Sequence, residues 1–206
     1  MNELIVAEKP SVAIRIALSL SEGQPKRGVM NGIGYYEVDM KGKTIYVVAA
    51  AGHLFTLHQK KGTSGFPVFD VEWVPSYAVN KNAYYTKKYL DTITAIGKKC
   101  DFFINACDYD LEGTVIGTNI IKQIINNDVN RGIYSKNVGR MKFSTTTTGD
   151  LLESYKNMSS FDALNFEAGE TRHVIDWIWG INMSRALMHS LALKGLKKTM
   201  SIGRVQ

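Results

Sequence analysis

The sequence predicts an α/β fold with a mostly parallel sheet and helices on both faces, followed by the first helices of a second, α-helical domain. Strand-like apolar runs alternate with helical segments up to residue 145, whereas the pattern beyond residue 145 is helical. Such alternation is typical of parallel sheets that are covered on both faces. We therefore expect one domain over residues 1–145 and the start of another over 146–206, with the polar run Ser144–Thr148 as a hinge between them.

Each element follows from a local pattern. Apolar runs bounded by polar or turn residues predict strands at Glu3–Ala7, Ile33–Met40, Thr44–Ala51, Asp101–Cys107 and Val138–Phe143. Apolar residues at helical spacing predict helices at Ser11–Leu20, Tyr84–Lys99, Gly113–Asn126, Gly149–Asn157 and Asp162–Leu193. Pro10 favours the start of the first helix, because proline is tolerated in a first turn. A long polar loop is expected over His58–Asn82.

Composition excludes several classes of protein. The hydrophobic fraction of 45% and charged fraction of 21% are ordinary for a globular chain with a packed core. No apolar run approaches the length of a membrane span, and the first residues resemble a strand rather than a signal peptide, which makes a cytoplasmic location the default. The two cysteines, Cys100 and Cys107, are too few for a disulfide scaffold and lack zinc-site partners.

The net charge of +6 is unevenly distributed. No acidic residue follows Asp176, whereas five basic residues do, namely Arg185, Lys194, Lys197, Lys198 and Arg204. A second basic stretch, Lys81–Lys88, interleaves lysines with tyrosines. Basic surface attracts a polyanion and aromatic rings stack on bases, so nucleic acid is one candidate partner. Simple solvation of the lysines is the alternative.

Three carboxylates at spacing i, i+2, i+4 form the most distinctive feature, the acid cluster Asp108-Tyr109-Asp110-Leu111-Glu112-Gly113. The acid cluster follows directly on the predicted strand that ends at Cys107. A strand that stops there presents the acids at the carboxyl edge of the sheet, where open α/β sheets bind their ligands. Oxygen donors on one short loop suit a hard cation such as Mg²⁺. The pattern therefore indicates metal-assisted phosphate chemistry.

Glu8 ends the first predicted strand, much as Asp108 follows a later one. If those strands are neighbours, Glu8 and the acid cluster share one edge of the sheet. A carboxyl group held among other carboxylates can act as a general acid. Lys9 and Lys43 are possible charge balances for this group of acids. The alternative is that Glu8 is a solvated strand end.

Four motifs in order carry a family resemblance. Leu4-Ile5-Val6-Ala7-Glu8-Lys9-Pro10-Ser11, then Gly52-His53-Leu54, then the acid cluster together resemble a Toprim domain. The segment Glu170–Arg185 resembles the long helix that follows Toprim in type IA DNA topoisomerases, and Ser201–Gln206 resembles their SxGRVQ motif. The spelling of the first two motifs is nearest to the archaeal topoisomerase I and topoisomerase III branch.

The resemblance implies roles for particular residues. The expected Mg²⁺ ligands are Asp108, Asp110 and Glu112, with Glu8 beside them. Glu8 would protonate the leaving sugar oxygen, and Lys9 would help to neutralise the phosphate. The expected DNA-binding residues are Arg185, Arg204 and Gln206. Supporting roles are implied for Gly52, His53, Gly113 and Gly203.

The reaction implied is cleavage, strand passage and religation of single-stranded or negatively supercoiled DNA through a 5′-phosphotyrosyl intermediate, dependent on Mg²⁺ and independent of ATP. In the family the nucleophilic tyrosine lies well beyond the SxGRVQ motif, and none of the ten tyrosines of this chain has an equivalent context. The chain is therefore expected to be an N-terminal fragment that does not cleave DNA alone. The alternatives are a Toprim nuclease or primase-like protein, or a non-catalytic metal- and DNA-binding module.

Overall fold

The computed structural model describes residues 1–62, 65–125, 137–196 and 198–203. Its strands are β1 Glu3–Ala7, β2 Lys26–Met30, β3 Ile33–Met40, β4 Lys43–Ala49, β5 Phe55–Gln59, β6 Val71–Pro75, β7 Phe102–Ala106, β8 Val138–Arg140 and β9 Ser159–Ser160. Its helices are α1 Pro10–Leu20, α2 Ser76–Val79, α3 Tyr85–Gly97, α4 Leu111–Ile125, α5 Thr148–Lys156 and α6 Ala163–Leu193. A 3₁₀ turn at Lys81–Ala83 joins α2 to α3.

Seven of these strands form one mixed sheet in the order β2-β3-β4-β1-β7-β8-β9. Its centre is parallel, because β1 pairs in parallel with both β4 and β7, and β7 pairs in parallel with β8. The outer pairs are antiparallel. The predicted α/β class is confirmed, with antiparallel strands added at both edges of a parallel centre.

Helices cover both faces of this sheet, as the sequence predicts. On one face, α1 and α5 bury apolar side chains such as Ile16 and Leu151 against β1, β4 and β7. On the other face, α3 and α4 do the same with Ile93 and Ile120. Strand β1 contributes to both layers, since Ile5 belongs to the first core and Leu4 to the second. The helices on the two faces of the sheet thereby hold the central strands in place.

Several boundaries differ from the prediction. The expected loop over His58–Asn82 is wrong, because β5 and β6 pair antiparallel as a two-stranded ribbon within and beside it. The ribbon lacks a long apolar run, and its second strand ends in a proline, so its signal in the sequence is weak. Strand β2 was also not predicted, since an edge strand rich in charge and glycine lacks the pattern of a buried one.

Helix α4 begins at Leu111 rather than Gly113, within the acid cluster, and its predicted end at Asn126 lies outside the described residues. Helix α6 packs on α4 and contacts β5. Gly169 makes the approach of α6 to α4 close, since a Cβ there would lie 2.6 Å from Val115 Cγ2 and 3.0 Å from the Leu111 carbonyl oxygen. Among the described residues no helix is both long and apolar enough to cross a membrane.

Candidate active site

Glu8 and the acid cluster lie at the same edge of the sheet because β1 and β7 are parallel neighbours. Ala7 is paired with Ala106, so the residues that follow each strand leave the sheet side by side. Lys9 joins the two segments: its Nζ lies 2.7 Å from Asp108 Oδ2 and 3.5 Å from Glu8 Oε1. The expectation that these acids share one edge of the sheet is confirmed.

The position of Lys9 explains how the repulsion between these acids is reduced. Its hydrogen bond to Asp108, together with the charges of Glu8 and Asp108, raises the pKa of the Lys9 ammonium above its ordinary value. Lys9 therefore keeps its positive charge throughout the physiological range. A fixed cation beside two carboxylates is also suited to meet a phosphate that approaches them.

The expectation that Lys43 balances the same acids is wrong. Lys43 forms an ion pair with Glu3, at the opposite end of β1, and the Tyr155 hydroxyl donates a hydrogen bond of 2.5 Å to the other Glu3 oxygen. Strand β4 begins at Lys43, and a parallel neighbour of β1 that begins there brings its first residue to the amino end of β1. This buried group anchors β1, β4 and α5 rather than the site.

Asp110 caps helix α4. Its Oδ1 accepts a hydrogen bond of 2.7 Å from the Gly113 backbone N–H. Aspartate at such a position satisfies an unpaired N–H of the first turn and favours the helix dipole. Gly113 allows this turn to be tight, because a Cβ there would lie 2.2 Å from the Asp108 carbonyl oxygen. The helix therefore begins inside the acid cluster and Asp110 caps it, while its role as a metal ligand stays a prediction.

Glu112 contacts two histidines rather than Lys9. Its Oε2 lies 3.2 Å from His53 Nε2 and 2.9 Å from His173 Nε2. His53 follows Gly52, whose φ of +90° lies in the region that favours glycine. Burial opposes ionisation of Glu112, but His173 and then His53 outweigh it, so the pKa of Glu112 lies below its ordinary value. Arg172 adds a longer contact, with its Nη1 3.9 Å from Glu112 Oε1.

Arg140, at the end of β8, supports the backbone of the acid cluster through hydrogen bonds. It was not predicted as a site residue. It is buried, and its guanidinium donates to the carbonyl oxygens of Asn105, Cys107 and Asp108 at 3.2, 2.8 and 2.7 Å. These bonds fix the backbone at the point where it leaves β7. Burial lowers the pKa of Arg140 from its ordinary value, although a guanidinium remains charged in proteins. Its position at a strand end is the signal that could have identified it.

The predicted DNA-binding residues lie at the far end of α6 or outside the described residues. Arg185 donates a hydrogen bond to the Gly65 carbonyl oxygen. The start of the SxGRVQ segment rests on α6, where the Ile202 N–H donates to Ser184 Oγ at 2.8 Å. Gly203 follows with open space around it, whereas Arg204 and Gln206 lie outside the described residues.

Asp108 and Asp110 before α4, and Glu112 in its first turn, offer carboxylate oxygens, which are the donors that a hard cation prefers. In the described residues, Asp108 is paired with Lys9, Asp110 accepts from the Gly113 N–H, and Glu112 contacts the two histidines. Among the described residues, three potential metal-ligand atoms lie within 4.8 Å of one another in the group His53, Glu112 and His173. His173 was not singled out from the sequence, because its approach depends on how α6 packs.

Comparisons with known proteins match two successive parts of the chain to families. The profile of the Toprim domain matches residues 3–146, and that of the DNA topoisomerase family matches residues 160–206. DNA topoisomerase 1 of Pyrococcus horikoshii is 42% identical over 207 residues, which cover 98% of this chain and 29% of that protein. DNA topoisomerase 1 of Methanocaldococcus jannaschii is 41% identical, with 100% and 26% covered.

A solved structure shows a similar fold. Full-length topoisomerase I from Thermotoga maritima superposes with a TM-score of 0.58 at 22% identity, over 98% of this chain and 28% of that chain. The chain spans less than a third of the length of either of these two archaeal topoisomerases.

Proposed function

Because this chain belongs to the Toprim family, we propose that it is the N-terminal part of a type IA DNA topoisomerase. The proposed domains are residues 1–145, which would hold the metal and the phosphate, and residues 146–206, which would begin the DNA-binding helical part. The order of the two family matches, Toprim first and DNA topoisomerase second, supports this division. A cytoplasmic location is part of the same proposal and agrees with two buried cysteines that form no disulfide.

One observation carries the proposal: Glu8 and the acid cluster leave adjacent parallel strands, with Lys9 between them. In the proposed enzyme Asp108, Asp110 and Glu112 would hold Mg²⁺, which would supply positive charge to the reacting phosphate. Glu8 would donate a proton to the leaving sugar oxygen and take it back during religation. Lys9 would neutralise charge on the phosphate. Arg185, Arg204 and Gln206 would contact single-stranded or negatively supercoiled DNA.

The magnesium assignment is tested by thermal melting of the 206-residue chain. Mg²⁺ should raise the melting temperature of the wild type, because a ligand that binds only the folded state stabilises it. Asp108→Ala combined with Asp110→Ala should abolish this shift. Asp39→Ala combined with Asp91→Ala is the matched control, since both acids are exposed and paired with lysines far from the site. An unchanged response in the first variant would contradict the proposal.

We propose that none of the ten tyrosines of this chain is the nucleophile. Tyr109 is the tyrosine nearest the acids in sequence, and its ring faces Lys142, whose Nζ lies 5.2 Å from the ring centroid. We expect no covalent adduct when this chain is incubated with Mg²⁺ and a labelled single-stranded oligonucleotide and then denatured. An adduct that disappears in Tyr109→Phe would make Tyr109 the nucleophile and contradict this expectation.

A further inference from the structure

We propose that His53, Glu112 and His173, the His–Glu cluster, form a second cation site that selects a transition-metal ion such as Zn²⁺ over Mg²⁺. The donor atoms are two imidazole nitrogens and one carboxylate oxygen, all within 4.8 Å of one another. Imidazole is a ligand for Zn²⁺ and related ions, whereas Mg²⁺ prefers oxygen donors and water. The donor set therefore differs in chemistry from that of the acid cluster, although Glu112 belongs to both.

The geometry fits a tetrahedral ion. Ligands about 2.0 to 2.1 Å from a tetrahedral Zn²⁺ lie about 3.3 Å from one another. The two measured edges, from Glu112 Oε2 to His173 Nε2 and to His53 Nε2, are 2.9 and 3.2 Å. Both edges lie within a few tenths of an ångström of that spacing, so an ion could enter as each Nε2 exchanges its hydrogen bond for a metal bond. Both histidines would then carry their proton on Nδ1.

The residues around the His–Glu cluster restrict the motion of its ligands and leave one coordination position open. The ring of Trp73 meets the His173 ring edge-on with centroids 5.5 Å apart, and Trp73 Nε1 donates to Glu170 Oε1 at 3.0 Å. The His53 ring packs on His173 in the same way, also at 5.5 Å. These contacts restrict the rotation of His173 before any ion arrives. Three protein ligands leave a fourth position for water.

That fourth position has access from outside. A cavity of about 670 Å³ opens beside the cluster and is lined by both histidines together with Trp73, Asp176 and Trp177. Three elements that are distant in sequence meet here, namely the turn before β5, the start of α4 and the middle of α6. An ion bound here would therefore tie α6 to the sheet.

The test uses the chain without an affinity tag, since a histidine tag would itself bind the probe. Co²⁺ should give the visible absorption of a four-coordinate site, and Zn²⁺ should remove that absorption at one equivalent. His53→Gln and His173→Gln should each weaken Zn²⁺ binding by about tenfold or more, measured by calorimetry, because even residues that only support a ligand cost that much. Glu112→Gln should also weaken Zn²⁺ binding. Because glutamine is nearly the same size as glutamate, this variant keeps the test valid if a histidine variant lowers the melting temperature of the metal-free protein.

His58→Gln is the matched control, because His58 is exposed, lies five residues from His53 and lines the same cavity. It should bind Zn²⁺ like the wild type. Equal loss in this control, or wild-type affinity in the His53 and His173 variants, would overturn the proposal. Asp108→Asn should keep Zn²⁺ affinity while losing the Mg²⁺ response. If Zn²⁺ fails to bind the wild type and the Mg²⁺ response persists, only this inference is overturned. If Zn²⁺ binds and the Mg²⁺ response is absent, only the proposed function is overturned.

Discussion

Asp108 and Glu112 lie four residues apart on the acid cluster, yet different kinds of group balance their charges. Asp108 faces β1, where Lys9 supplies a permanent positive charge at 2.7 Å. Glu112 faces α6 and the turn before β5, where the imidazoles of His173 and His53 lie at 2.9 and 3.2 Å. An ammonium group cannot bind a metal ion, whereas an imidazole can exchange a proton for one. The β1 side is therefore built around fixed charge, and the α6 side around exchangeable partners.

Loss of the support common to both sides should have the largest effect. Arg140→Met leaves the carbonyl oxygens of Asn105, Cys107 and Asp108 without their buried donor, which should lower the free energy of unfolding by about 3 kcal/mol. Both metal responses should weaken together. Lys142→Met is the control, since its partly exposed pair with Asp162 should cost less than about 1 kcal/mol. Denaturant titration measures both, and equal losses would contradict this role for Arg140.

The second largest effect is expected from a substitution that displaces the turn at the start of α4. In Gly113→Ala the new Cβ would meet the Asp108 backbone at 2.2 Å, and backbone atoms cannot move aside as a flexible side chain can. We expect a loss of about 2 to 3 kcal/mol in the free energy of unfolding, measured by urea titration. Gly149→Ala is the matched control, because a Cβ there meets nothing within 4 Å and alanine favours a helix. Wild-type stability in the Gly113 variant would show that the turn is not as tight as described.

Substitution of Asp110 separates structure from metal binding within the acid cluster. Asparagine caps helices about as well as aspartate, so Asp110→Asn should change stability by less than about 0.5 kcal/mol, whereas Asp110→Ala should cost about 1 kcal/mol. Both variants should lose most of the Mg²⁺-dependent rise in melting temperature. Full Mg²⁺ response in Asp110→Asn would remove this carboxylate from the proposed metal ligands.

The smallest effect is a pH dependence on the α6 side. Because the pKa of Glu112 is depressed in the folded state, its contribution to stability is present above the unfolded value of about 4.3 and is lost as the pH falls through the folded pKa. Denaturant titrations below about pH 4.3 should therefore show a steeper acid loss of stability for the wild type than for Glu112→Gln. Parallel curves would mean that the histidines do not favour the ionised carboxylate.

The same contrast separates what could be predicted from what could not. Much of the β1 side follows from sequence, because the apolar runs before Glu8 and Asp108 predict strands of a mostly parallel sheet, and their acids share one edge once the strands are neighbours. The α6 side does not, since His173 reaches Glu112 only through the close approach at Gly169. The ribbon β5–β6 and the buried Arg140 were missed for a related reason: their roles depend on tertiary partners rather than on a local pattern. Local periodicity gives the elements, and packing decides which side chains meet.

The central position of β1 has a consequence for motion. It is hydrogen-bonded on both sides, to β4 and β7, and its first residue is anchored by Lys43 and Tyr155. Its backbone amides should therefore exchange with deuterium only when the whole domain unfolds, whereas segments held by side chains alone open more readily. Glu8, which directly follows β1, is therefore expected to keep its position. Rearrangement around a bound substrate is expected to occur in α6 and the β5–β6 ribbon.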